Sequence, residues 1–144
     1  MLRPVASRLP AVALLAALAL AGCGDSGPSD EQQIRSTLDQ FAQATAAKDY
    51  GELCQKVFAP KLVETLEQIG LPCEQALRKG FEGVKEPQIS VGKVTVDGDN
   101  AKAEVRSSAE GQKPSQDTVE LARVNGAWRI SSLTSGSQRA GQGP

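Results

Sequence analysis

Val119-Glu120-Leu121-Ala122-Arg123-Val124-Asn125-Gly126-Ala127-Trp128-Arg129-Ile130 is the stretch that decides the fold. Two runs of alternating apolar and polar residues flank Asn125-Gly126, the strongest short-range signal for a two-residue β-hairpin, because the type I′ turn needs positive φ at both central positions. The turn predicts Leu121 opposite Ile130 and Arg123 opposite Trp128. Upstream, the same two-residue period starts just after Pro87. Ile89 and Val91 alternate, and Val94 and Val96 continue with the phase moved by one, which predicts a bulge or bend at Gly92-Lys93. Asp97 to Asn100 is turn chemistry, and Ala101, Ala103 and Val105 form the next inner face, with Glu104 and Arg106 pointing outward. Glu110 to Ser115 reads as a longer loop.

Before Pro87 the period is helical. Ser29 or Asp30 is placed to cap a helix, with Gln32 or Gln33 completing a capping box. Ile34, Leu38, Phe41 and Ala42 then share one face. Asp49 and Glu52 repeat the cap signature ahead of Leu53, Cys54, Val57 and Phe58. Pro60 suits the first turn of a third helix carrying Leu62, Val63, Leu66 and Ile69 and stopping at Gly70. Pro72 opens a short fourth helix with Cys73, Ala76 and Leu77, ended by Gly80. Four helices followed by about four antiparallel strands is an α+β arrangement, the helices packing on one face of a curved sheet.

The beginning of the chain carries a different message. Arg3 and Arg8 precede an entirely Ala, Val and Leu run from Ala11 to Ala21, then Leu20-Ala21-Gly22-Cys23 gives way to the polar Gly24 to Ser29. A basic segment, a short apolar segment and small residues before a cleavage point are the parts of a secretory signal. The apolar run is about half of the ~20 residues that a permanent span needs. Leu20-Ala21-Gly22-Cys23 resembles the lipobox of bacterial lipoproteins. That resemblance implies cleavage between Gly22 and Cys23 and acylation of the Cys23 thiol, where two or three acyl chains anchor stably and one would be marginal. An ordinary signal peptide with a nearby cysteine is the competing reading. The expected organisation is a signal peptide over 1–22, a flexible tether over 23–29, a folded domain over 30–133 and a disordered Gly-, Ser- and Gln-rich tail over 134–144. The domain is then extracytoplasmic and held to a bacterial membrane, by expectation the outer face of the cytoplasmic membrane.

Three cysteines is an odd count. Lipidation of Cys23 leaves Cys54 and Cys73 as a pair, and an exported chain meets conditions in which disulfides persist. Two buried free thiols are the alternative; metal ligation is opposed by the absence of histidine and of any Cys-x-x-Cys spacing. Removing Arg3 and Arg8 from the 16 basic residues leaves fourteen against 17 acidic ones, a balance of −3. The basic residues are scattered, without the stripe or aromatic interleaving of a nucleic-acid surface.

Ala46-Ala47-Lys48-Asp49-Tyr50, Phe58-Ala59-Pro60 and Val124-Asn125-Gly126-Ala127-Trp128-Arg129-Ile130 together resemble the nuclear-transport-factor-2-like (ketosteroid-isomerase-like) superfamily over about residues 30–133. The resemblance implies a cone-like domain whose helices cover a strongly curved sheet. It departs from the common pattern after Phe58-Ala59-Pro60, where two further helical segments and a cysteine intervene, as in small exported lipoproteins of uncharacterised role. Catalytic branches of that superfamily use an acid or base inside the cone, often with histidine or tyrosine. This chain has no histidine, and its one tyrosine, Tyr50, sits at a helix start where packing explains it. Asp49 is explained as an N-cap.

The sequence therefore points to a non-catalytic binding module for a partner protein or a small apolar ligand, with no cofactor. A structural or homodimerising role is the alternative, and an isomerase or hydrolase is less favoured. Phe41, Leu53 and Trp128 are the candidate cavity-lining residues, with ordinary core packing as the competing role for such side chains.

Overall fold

At Asn125 and Gly126 the backbone takes φ values of 50° and 80°, the left-handed pair that a two-residue hairpin requires. The strands on either side, β3 (Ser115–Val124) and β4 (Ala127–Ser135), pair antiparallel with Leu121 opposite Ile130 and Arg123 opposite Trp128. Both expected pairings are present. One irregularity has no counterpart in the expected pattern: the register slips at Glu120/Leu121, which face Ser132 and Ile130 and leave Ser131 as the extra residue. The computed structural model describes residues 27–135; the segment expected to be a signal peptide, Cys23 and most of the expected tether, and residues 136–144, lie outside them. β4 continues to Ser135, two residues past the boundary expected for the domain, because β3 extends far enough to pair Asp117 with Ser135 and Thr118 with Thr134.

β1 (Gln88–Asp97) and β2 (Asn100–Ser108) complete a four-stranded antiparallel meander in the order β1-β2-β3-β4. The sheet is curved and unclosed. The expected bulge is present between Val91 and Val94. Val96, expected on an inner face, is partly exposed because β1 is an edge strand.

Four helices precede the sheet in the chain, the first and third packing against it and the second and fourth against other helical segments. α1 (Asp30–Ala47) begins with a full capping box between Ser29 and Gln32, which occupies N–H groups that a helix start otherwise leaves unpaired. Its face of Ile34, Leu38, Phe41 and Ala44 enters the core with Val57, Phe58, Ala103, Val119, Leu121 and Ile130. α2 (Tyr50–Glu52) is capped by Asp49, whose Oδ1 accepts from Glu52 N–H at 3.0 Å. It widens at once into a π-helical turn, Leu53–Val57, so Phe58 leaves the helix instead of extending its face as expected. The wider turn releases the chain toward the sheet, where Ala59 N–H donates to the Ile130 carbonyl at 2.7 Å. α3 (Pro60–Gln68) buries none of its residues fully: Leu62, Val63 and Leu66 are half-buried and Ile69 is exposed. α4 (Cys73–Gly80) buries Cys73 and Leu77, and a Cys54–Cys73 disulfide ties it to the π-helical turn.

Polar contacts fix α1 over the sheet at both of its borders. The Arg35 guanidinium donates to the carbonyls of Val91 and Gly92, at 3.3 and 2.9 Å, where the bulge disrupts the ladder. Thr37 Oγ1 donates to the Trp128 carbonyl at 3.1 Å. At the helix start, Asp30 accepts from the Trp128 indole at 3.2 Å and pairs with Arg123 at 2.8 Å. Arg123 also lies over the Trp128 ring, 4.5 Å from its centroid, and reaches Asp99 at 3.1 Å. The Arg123 hydrogen bond, and after it that from Trp128, holds the Asp30 carboxyl below the usual aspartate range against a smaller desolvation effect.

Two outcomes are expected. Replacing Cys54 and Cys73 together by serine should lower stability in urea denaturation by roughly 3 kcal/mol, the scale for a cross-link across a short loop; a loss under about 0.5 kcal/mol would mean the bond does not constrain the chain. For Asp30, a carboxyl depressed in the folded state adds stability at neutral pH that is lost as pH falls below the ordinary value near ~3.9 and through the folded value. Asp30→Asn should therefore make acid unfolding below about pH 4 less steep, and carboxyl NMR titration of the unsubstituted chain should give Asp30 a midpoint below those of its exposed aspartates.

Candidate functional site

The curvature of the sheet leaves a hollow of about 230 Å³ between its concave face and the helices. In the strand register Ile89 lies opposite Ser107, Val105 opposite Asp117, and Val119 opposite Leu133. These six residues line the hollow as a diagonal band across all four strands. Phe41 of α1 and Phe81, just after α4, close it from the helical side. The alternation of each strand explains the membership: Asp117, Val119 and Leu121 share one face of β3, and Val105 and Ser107 one face of β2.

The wall is apolar except at Ser107 and Asp117. Asp117 Oδ2 accepts from the Ser115 hydroxyl at 2.8 Å and from the Ser107 hydroxyl at 3.2 Å, and the two hydroxyls are 2.8 Å apart. Cross-strand pairing dictates this cluster, since Ser107 faces Ser115 directly and Asp117 is two residues further along the same strand. Other hollows, of about 270, 340 and 390 Å³, are lined largely by charged and polar residues, among them Lys48, Lys85 and Glu86 in one, Glu104 and Arg106 in another, and Asp97 and Lys102 in the third. The 230 Å³ hollow has the greasy wall with a few convergent polar groups that small-molecule sites share.

Of the three candidate lining residues, only Phe41 is at this hollow. Leu53 is wholly buried in the core, on the π-helical turn that packs against α1 and β4. Trp128 is also core: its indole N–H is taken by Asp30 and its ring face by Arg123, at the border of the sheet where α1 begins. Tyr50 is buried and stacks on Phe81 with ring centroids 6.3 Å apart, so it supports the wall from behind. Among the described residues no group of three or more Cys, Asp or Glu is placed to hold a metal ion. Cys23 and Gly22 lie outside the described residues.

Sequence pattern alone does not single out Phe81, Ile89, Ser107, Asp117, Val119 and Leu133 as lining residues. A signal for Asp117 is nevertheless present, since a carboxylate two residues before Val119 on an alternating strand shares its inward face.

No family model matches the sequence, and no curated protein matches it. Solved structures do match in shape. A nuclear-transport-factor-2-like protein of unknown function from Shewanella baltica superposes with a TM-score of 0.55 at 14% identity, covering 74% of this chain and 94% of its own. The Kfla4162 protein from Kribbella flavida gives 0.54 at 22% identity, covering 74% and 90%. A de novo designed protein of the same fold, NT-9, gives 0.52 at 18%, covering 80% and 93%. At such identities the likeness concerns architecture alone. The described residues adopt the cone-like α+β fold of nuclear-transport-factor-2-like proteins.

Proposed function

We propose that this chain is a non-catalytic, extracytoplasmic binding domain, tethered to a bacterial membrane by lipid on Cys23, that takes a small apolar ligand into the hollow of its curved sheet. The observation that carries the binding role is the apolar hollow bounded by Phe41, Phe81, Val105, Val119 and Leu133. Its size, below the ~300–1,000 Å³ of drug-sized sites, suits a ligand of one ring or a short chain. The exposed large apolar residues among those described, Ile69, Val96 and Leu133, stand on α3's end and on opposite edge strands. They make no continuous sheet face for a second copy of the chain, which favours a ligand over an assembly role. For catalysis the hollow supplies one carboxylate and serine hydroxyls, with no histidine in the chain to serve as a base. The tether rests on Leu20-Ala21-Gly22-Cys23 and its flanks.

The two halves of this reading are tested separately. Titration with the neutral probe 2-phenylethanol should shift the methyl NMR signals of Ile89, Val105, Val119 and Leu133, and Leu133→Gln should weaken binding roughly five- to tenfold, the worth of one partly buried apolar contact. Shifts confined to Val96, or none up to millimolar probe, would remove the basis for a ligand-binding role. For the tether, mass spectrometry of the membrane-fraction protein should find the chain beginning at Cys23 and carrying acyl groups; an unmodified Cys23 there would overturn the anchor.

A further inference from the structure

We infer that the ligand is an amphiphile with a zwitterionic head: a short hydrocarbon body in the apolar hollow and, beyond Phe81, an ammonium and an oxyanion among Lys48, Lys85, Glu86 and Glu110. The inference rests on the ligand-binding reading above and adds the chemistry of the ligand's other end. Three hollows adjoin at one ring. Phe81 lines the apolar hollow of about 230 Å³, a smaller one of about 160 Å³ and the polar one of about 270 Å³. The smallest shares Ile89 and Ser107 with the apolar hollow and Thr45, Val84 and Pro87 with the polar one, so it stands between them. A ligand seated on the apolar wall and long enough to pass Phe81 therefore presents its other end to the polar hollow.

The polar hollow carries both signs of charge. Lys48 and Lys85 bring two ammonium groups, and Glu86 and Glu110 two carboxylates, all exposed. None of the four forms an ion pair among the described residues, although Lys56 pairs with Glu52 and Lys102 with Glu120. A head group of one charge is repelled by two of these groups while two attract it, whereas a zwitterion pairs with both kinds. Thr45 is an independent sign of a missing partner. It is 3% exposed, on the wall common to the polar hollow and the smallest one, and its hydroxyl has no hydrogen-bond partner among the described residues. A buried hydroxyl in that state lowers stability and is rare in folded proteins. Threonine in a helix has two accessible χ1 wells, so Thr45, near the end of α1, can turn its hydroxyl to donate to the oxyanion of a head group. Because the four charges are exposed, their pull is modest and sensitive to salt.

The test is a methyl NMR titration of the folded chain with four probes that share a six-carbon chain: zwitterionic hexyl phosphoethanolamine, anionic hexyl methyl phosphate, cationic hexylamine and neutral hexanol. O-Phosphoethanolamine serves as the head without a chain. All four hexyl probes should shift Val119 and Leu133, and the zwitterion should also shift Val84, which lines the smallest and the polar hollow. The zwitterion is expected to bind about three- to tenfold tighter than hexanol and tighter than either singly charged probe, and added salt should narrow the gap. With Lys48→Gln and Lys85→Gln together hexylamine should overtake the zwitterion, and with Glu86→Gln and Glu110→Gln together the anion should overtake it. Hexanol that binds as tightly as the zwitterion overturns the head-group assignment and leaves the ligand site standing. A tighter singly charged probe, a zwitterion preference without a shift at Val84, or an order unchanged by both double substitutions does the same. O-Phosphoethanolamine that binds as tightly as its hexyl form overturns the amphiphile. Binding by none of the hexyl probes removes the ligand site itself and the zwitterion assignment with it.

Discussion

The register of β3 against β4 is the constraint on which the remaining structure depends. Side chains alternate along a strand, so a slip of one residue would send Val119 and Leu121 to solvent and bring Thr118 and Glu120 inward. The Asn125-Gly126 turn prevents that slip, because only residues that accept positive φ close a two-residue hairpin with the right twist. With the register set, Leu121 and Ile130 meet the apolar face of α1, and Asp117 and Leu133 fall on the same concave side as Val119. The same alignment places Arg123 beside Trp128, from where it holds Asp30 at the start of α1.

Curvature is the second determinant, and it explains why a hollow exists. The bulge at Gly92-Lys93 bends β1, and the bulge at Ser131 bends β4, so both edges of the sheet turn out of plane. α1 spans the result, tied by Arg35 to the β1 bulge and by Thr37 and Asp30 to the start of β4. The space left between α1 and the curved sheet is bounded on the helical side by Phe41 and Phe81. Phe81 is kept there by its stack with Tyr50 and by α4, which the Cys54–Cys73 bond joins to the π-helical turn. The disulfide thus acts on the wall of the site through α4, though it lies away from the hollow itself.

Much of the fold is legible in the amino-acid sequence. The hairpin, the bulge in β1, the caps of α1 and α2 and the cysteine pairing follow from local rules: positive-φ residues, a change of apolar phase, Ser and Asp ahead of helix starts, and an odd cysteine count. The site is legible only in part. Phe41 can be placed because it lies on the apolar face of α1, but Trp128 and Leu53 cannot be told from core by pattern. What separates a lining residue from a core residue is which end of the cone it occupies, and that depends on long-range curvature. Trp128 stands near the start of β4 and is sealed by Arg123, whereas Leu133, five residues on, reaches the open end. The second bulge leaves a fainter signal of the same kind, since Trp128 and Ile130 alternate and Leu133 returns one position out of phase, with no further apolar residue after it to continue the new phase. The π-helical turn is invisible because Leu53 to Phe58 fits a helical period equally well.

The central claim is that the concave hollow between Phe41, Phe81 and the four strands is where this domain meets a small molecule. Intermolecular nuclear Overhauser effects, measured on a methyl-labelled chain saturated with 2-phenylethanol, test it most directly. Contacts from the ring protons to the methyls of Ile89, Val105, Val119 and Leu133 are the predicted result. Contacts to Val96 or Ile69 on the outer surface, with none to Val119, would contradict it.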